Sequence, residues 1–141
     1  VLKSSKLGAG VGHKAFPGCF PKVPSVVGES VVLWYGWSDL RVHDHEALIK
    51  ASSGRDVTPV FIFDPKALAS VSAHTAACIH AAVQGLEQEL RERGSGLVVR
   101  VGKTEDVLPE IVREVSASTV LYHNDVSSPM GDTIQKVLGV V

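Results

Sequence analysis

Two cysteines in 141 residues, Cys19 and Cys78, cannot build a disulfide framework, which excludes the small cystine-stapled scaffolds. No apolar run approaches the roughly 18–20 residues that a bilayer-spanning helix needs, and no signal-peptide core is present. Acids and bases nearly cancel to a net charge of −1, so no general affinity for nucleic acid or anionic membranes is expected. Catalytic signatures are missing as well. There is no G-x-S-x-G elbow, and Ser38 lacks flanking glycines. There is no paired-carboxylate or metalloprotease pattern. Gly8, Gly10 and Gly12 imitate a phosphate loop, but no strand precedes them and Lys14 does not directly follow a glycine, so a flexible linker is the expected reading.

What is there fits one globular domain. Apolar residues make up 45% and charged residues 21%, and the length suffices for a single core. Residues 1–28 differ from the rest: they hold four lysines and no acid, with Gly at 8, 10, 12, 18 and 28 and Pro at 17, 21 and 24. That density of breakers defeats both the helical and the strand period, so residues 1–28 are expected to be a basic arm and 29–141 the folded domain. Free thiols point to a reducing, intracellular compartment. The acid-free arm is compatible with a plastid or other organellar address.

From Ser30 the pattern becomes regular. SVVLWY (30–35) is continuously apolar, as a strand covered on both faces should be. A short helix fits 44–52, and a second strand, 58–63, ends at Asp64-Pro65. A long helix over about 70–93 carries Ala76, Ile79, Val83, Leu86 and Leu90 at steps of three and four, with Gly94 as its stop. A third strand follows at 96–101. Thr104 is expected to cap a helix over 105–116 in which Pro109 delays or bends the start. The fourth strand is 118–123, followed by a polar loop at 124–129 and a helix at 131–138. Four alternations of strand and helix predict right-handed crossovers and an α/β fold with a parallel, Rossmann-like sheet and helices on both faces. Gly139-Val140-Val141 reads as the start of a fifth strand, so the gene product is expected to continue.

The chemistry is concentrated after the first strand, in GWSDLRVHDHEAL (36–48). Ligand crevices of open α/β sheets form at such carboxyl ends. Arg41 can grip a phosphate or carboxylate bidentately, Asp39 can accept from a ring or ribose donor, and Trp37 offers an aromatic plane. Alternatively, Asp39 and Arg41 pair with each other or with backbone and simply fix the turn. His74 and Cys78 share a helical face and can share a metal, but two ligands do not make a site. Surface histidines and a small buried thiol are the preferred reading, and no metal is expected.

Four blocks in order, WSDLRVHDHEAL (37–48), TPVFIFDP (58–65), GLEQELRERGSGLVVRVGKTEDVLPEIVREVSASTVLYHND (85–125) and Asn124-Asp125 with Pro129, resemble the N-terminal α/β domain of the photolyase/cryptochrome family. The resemblance covers nearly all of 31–141 and implies strand order 3-2-1-4-5 with the fifth strand truncated. It also implies a face at Trp37, Asp39, Arg41, Asp64, Asn124 and Asp125 that meets an antenna chromophore, such as a folate, deazaflavin or FMN, or docks on a second domain. FAD, the DNA-lesion pocket and the electron-transfer tryptophans belong in the family to a helical C-terminal domain that this sequence lacks. The chain alone is therefore expected not to be a repair enzyme.

Three departures lie on that face. Gly36-Trp37-Ser38 replaces the family's aromatic-Arg pair, His43-Asp44-His45 replaces H-D-N, and the loop 126–129 lacks the usual tyrosine. They leave room for a second expectation, a non-catalytic interaction or ligand-binding module fused to another domain or held in an assembly.

Overall fold

The computed structural model describes residues 29–123. The elements follow in the order β1 (Ser30–Tyr35), α1 (Glu46–Ala51), β2 (Asp56–Phe63), α2 (Pro65–Leu68), α3 (Ala73–Glu92), β3 (Val98–Val101), α4 (Thr104–Glu114) and β4 (Thr119–Tyr122). All pairings are parallel and the strand order is β3-β2-β1-β4. The α/β class and the first four positions of the expected order are therefore present. The expected arm at 1–28, the loop at 124–129, the helix at 131–138 and the fifth strand lie outside the described residues.

The sheet is organised by β1, which pairs with β2 from Ser30↔Asp56 to Tyr35↔Phe61 and with β4 from Val31↔Thr119 to Trp34↔Tyr122. Its alternating side chains feed two cores. Val31, Leu33 and Tyr35 pack with Ala47 and Ala51 of α1 and Ile79, Val83, Leu86 and Leu90 of α3. Val32 and Trp34 point the other way, to Leu108 and Ile111 of α4. A strand buried on both faces needs apolar residues at every position, which is why Val31–Tyr35 has no polar alternation. Pro59 stands opposite Leu33 of β1, one residue ahead of the first β2–β3 pair, Val60↔Val98.

The strand and helix bounds shift by up to a few residues from expectation, and four of the differences have a local reason. The chain after β2 turns at once into α2, because Asp64 caps it through the Lys66 N–H and Pro65 occupies its first turn. The long helix therefore begins only at Ala73, capped by Ser72, whose Oγ accepts from Thr75 N–H. The first helix is shorter than 44–52, since Asp44 has φ +52° and His45 is the cap. Thr104 is not the cap of α4 but its first residue: its N–H and hydroxyl donate to Asp64 Oδ2 at 3.2 and 3.4 Å, from the end of β2. Pro109 does not delay that helix.

The two longer helices close alike. Gly94, at φ +75°, donates to Arg91 O while Ser95 N–H returns to Leu90 O. Ser116, at φ +51°, and Ala117 repeat this against Arg113 and Val112, so a non-glycine residue there holds the left-handed position.

Leu86 is 2% exposed in the α3 core, so Leu86→Ala is expected to destabilise the chain by about 2–5 kcal/mol in chemical denaturation. A loss well below ~1 kcal/mol would contradict this packing of α3 on the sheet.

Candidate functional site

The carboxyl ends of the strands gather the turn after β1, Asp64 after β2, Gly102 after β3 and His123 after β4. Of the expected ligand residues, Asp39 is turned inward. It is 2% exposed, and both its carboxylate oxygens have donors: Gly36 N–H reaches Oδ1 at 2.6 Å and His45 Nε2 reaches Oδ2 at 3.1 Å. Glycine at 36 allows the first contact, since a Cβ there would lie only 3.2 Å from Oδ1. A carboxylate out of water requires such donors, and these two compensate its desolvation.

His45 continues the chain of bonds. It is 3% exposed, and its Nδ1 accepts from Leu48 N–H at 3.1 Å, capping α1. Because Nδ1 receives a hydrogen bond it carries no proton, so Nε2 bears the hydrogen donated to Asp39. This corrects the expectation of a surface histidine. Tyr35 packs edge-on against the ring, centroids 5.0 Å apart.

Arg41 does not pair with Asp39. It is exposed, and its Nε and Nη2 both donate to Asp44 O at 3.3 Å, bracing the left-handed Asp44. Trp37 is half-buried against the core on the α1–α3 face. Asp64 is engaged on both oxygens, Oδ1 with α2 and Oδ2 with α4. Trp37, Asp39 and Arg41 thus share one turn, while Asp64 ties the end of β2 to the start of α4. Asn124 and Asp125 lie outside the described residues.

Two further groups add to this edge. Lys50 holds the Glu46 carboxyl below its usual range by a 2.6 Å ion pair, and His123 acts in the same direction. His74 Nε2 stands 3.8 Å from Cys78 Sγ, and both are exposed, so Cys78 is not the buried thiol expected. Among the described residues no group of three or more His, Cys, Asp or Glu could hold a metal, and no helix is long and apolar enough to cross a membrane.

His45 is the residue whose importance here the sequence reading passed over. Its signal was the position two residues before Ala47, where an N-cap belongs, and six residues after an aspartate in a tight turn.

A family model described as DNA photolyase matches residues 31–140, and the chain belongs to that family, as its N-terminal α/β region. Cryptochrome DASH from Synechocystis sp. is 34% identical over 109 residues, covering 72% of this chain and 22% of that protein. Blue-light photoreceptor PHR2 from Arabidopsis thaliana is 37% identical over 115 residues, 76% of this chain and 26% of that one. A cryptochrome DASH of Oryza sativa subsp. japonica, named chloroplastic/mitochondrial, is 33% identical over 111 residues, 72% of this chain and 19% of that protein. The crystal structure of a Synechocystis cryptochrome superposes with a TM-score of 0.70 at 29% identity, covering 82% of this chain and 26% of the other. The chain therefore spans 26% or less of the length of each of these relatives.

Burial raises the Tyr35 pKa above its ordinary 10.0, and the charges of Asp39 and Glu89 push the same way. Below pH 10.0 folded and unfolded chains both keep the proton; above it the unfolded chain ionises first, so stability falls with rising pH. Tyr35→Phe is expected to remove up to about 1.4 kcal/mol per pH unit from that alkaline slope. Stability near neutrality should change little, since Tyr35 Oη has no hydrogen-bond partner among the described residues. Denaturation curves on either side of pH 10.0 check this. An unchanged slope would contradict it.

Proposed function

We propose that this chain is the N-terminal domain of a larger photolyase/cryptochrome-type flavoprotein, where it binds an antenna chromophore or docks on a helical FAD-binding domain. The observation that carries the reading is the family match over 31–140 in a chain that spans 22% of cryptochrome DASH from Synechocystis sp.. The geometry supports a ligand edge of limited means. Asp39 and Asp64 have their oxygens engaged within the fold, so they position the edge. Of the expected residues that the structure describes, exposed Arg41 and half-buried Trp37 are left to meet an anionic, aromatic ligand. A folate, deazaflavin or FMN offers that combination, with Asn124 and Asp125 as further proposed contacts. FAD would reside in the second domain, and any light-driven chemistry or DNA repair belongs to the larger protein. A plastid location is supported by the chloroplastic/mitochondrial name of the rice relative.

A specific observation favours a second reading, a non-catalytic interaction or ligand-binding module. The internal engagement of Asp39 and Asp64 withdraws both from direct recognition, and the aromatic-Arg pair of the family is replaced by Gly36-Trp37-Ser38. Such an edge suits a protein partner as well as a small molecule.

Absorption and fluorescence spectra of the natively purified chain, followed by mass spectrometry of released material, separate the two. A bound pterin, deazaflavin or flavin is expected, with Arg41→Ala weakening its binding by about tenfold or more in a chain that remains folded. A colourless chain that takes up none of the three when offered would overturn the antenna reading in favour of the module.

A further inference from the structure

We propose that Asp39 and His45 form a proton-operated latch on the turn between β1 and α1. Three hydrogen bonds in series define it: Gly36 N–H to Asp39 Oδ1 at 2.6 Å, His45 Nε2–H to Asp39 Oδ2 at 3.1 Å, and Leu48 N–H to His45 Nδ1 at 3.1 Å. Both imidazole nitrogens and both carboxylate oxygens are committed. The folded turn therefore selects one state of His45, the neutral ring with its hydrogen on Nε2.

A second proton can go only to Nδ1. There it would meet Leu48 N–H, donor against donor, across a 3.1 Å contact that the neutral ring makes attractive. The imidazolium would not leave its place, because the Asp39 carboxylate attracts the charged ring more strongly than the neutral one and is itself anchored by Gly36. The helix end gives way instead. Leu48 N–H loses its acceptor, and the first turn of a helix of only six residues opens.

The surroundings support this direction. From β1 comes the edge of Tyr35, a phenol kept protonated by burial. From α3 comes the negative Glu89, which acts on Tyr35, and from α1 Glu46, paired to Lys50. Arg41 is engaged on Asp44 O, and His123, at the end of β4, acts on Glu46. The buried charge touching the imidazole is thus negative, and the cations of this set are held elsewhere. The latch is a property of the chain itself, independent of any chromophore. Its movement would reshape the edge that carries Trp37 and Arg41.

The test follows the imidazole nitrogens of His45 and the amide exchange of Leu48 by NMR in the 141-residue chain, from about pH 7.5 to about pH 5, where histidines ordinarily titrate. The Nε2–H tautomer is expected at the upper end. As His45 takes up its proton, Leu48 exchange, corrected for intrinsic rate, should rise by about tenfold or more. In His45→Asn, whose side-chain oxygen caps helices without titrating, the rise should vanish. The proposal is overturned by an Nδ1–H tautomer at neutral pH, by a ring that stays neutral throughout, or by a titrating His45 with unchanged Leu48 exchange. It is equally overturned by the same rise in His45→Asn. If that variant does not fold, tautomer and exchange in the unaltered chain decide.

Discussion

The carboxylate of Asp39, withdrawn from water at the end of the central strand, is the constraint on which this end of the molecule depends. A buried carboxylate is tolerated only where hydrogen-bond donors replace its hydration. The fold supplies two, one from the backbone of Gly36 and one from His45, and each fixes a different part of the chain. Gly36 sets how the chain leaves β1, and His45 sets where α1 begins. The turn between them is thereby closed into a loop of defined shape, with Arg41 bracing the left-handed Asp44 from outside. At the next strand Asp64 plays a similar part, joining the end of β2 to the starts of α2 and α4.

Two aspartates at the carboxyl ends of neighbouring strands thus act as tie points for the edge where open α/β sheets meet their ligands. This arrangement bears on function in two ways. It ties the turn after β1 to α1 and the end of β2 to α2 and α4, so that Trp37, packed on the α1–α3 core, and Arg41 are presented from a turn of defined shape. It also removes the aspartates from direct recognition, leaving exposed Arg41 and half-buried Trp37 as the members of the expected set, among the described residues, that can meet a ligand. The chain belongs to the DNA photolyase family, and an antenna chromophore and a protein partner are the two proposed occupants of this edge.

The sheet was legible in the sequence because burial on both faces leaves no freedom of composition. Val31–Tyr35 had to be apolar throughout, and α3 had to carry Ile79, Val83, Leu86 and Leu90 at helical steps. The errors lie where an interaction joins residues far apart. Asp64 caps α4 from forty positions away, which no local pattern around Thr104 records. Asp64-Pro65 was read as the end of a strand, although aspartate followed by proline is also the start of a helix, as α2 shows. His45 carries a polar side chain that only its pairing with Asp39 makes compatible with burial, and Cys78 falls on the outer side of α3 despite its apolar character. Of the site, composition located the turn. The sequence also offered its aspartate a turn-fixing role as an alternative to ligand binding; the partners that hold it, Gly36 N–H and His45, came from the geometry.

A double-mutant cycle on Asp39→Ala and His45→Ala, read by chemical denaturation near neutral pH, tests the central interaction most directly. A coupling of about 1–3 kcal/mol is predicted for a buried hydrogen bond to a charged group. Additive losses, with coupling near zero, would mean that the two side chains stand together without holding each other, and the account of the β1–α1 turn would fail.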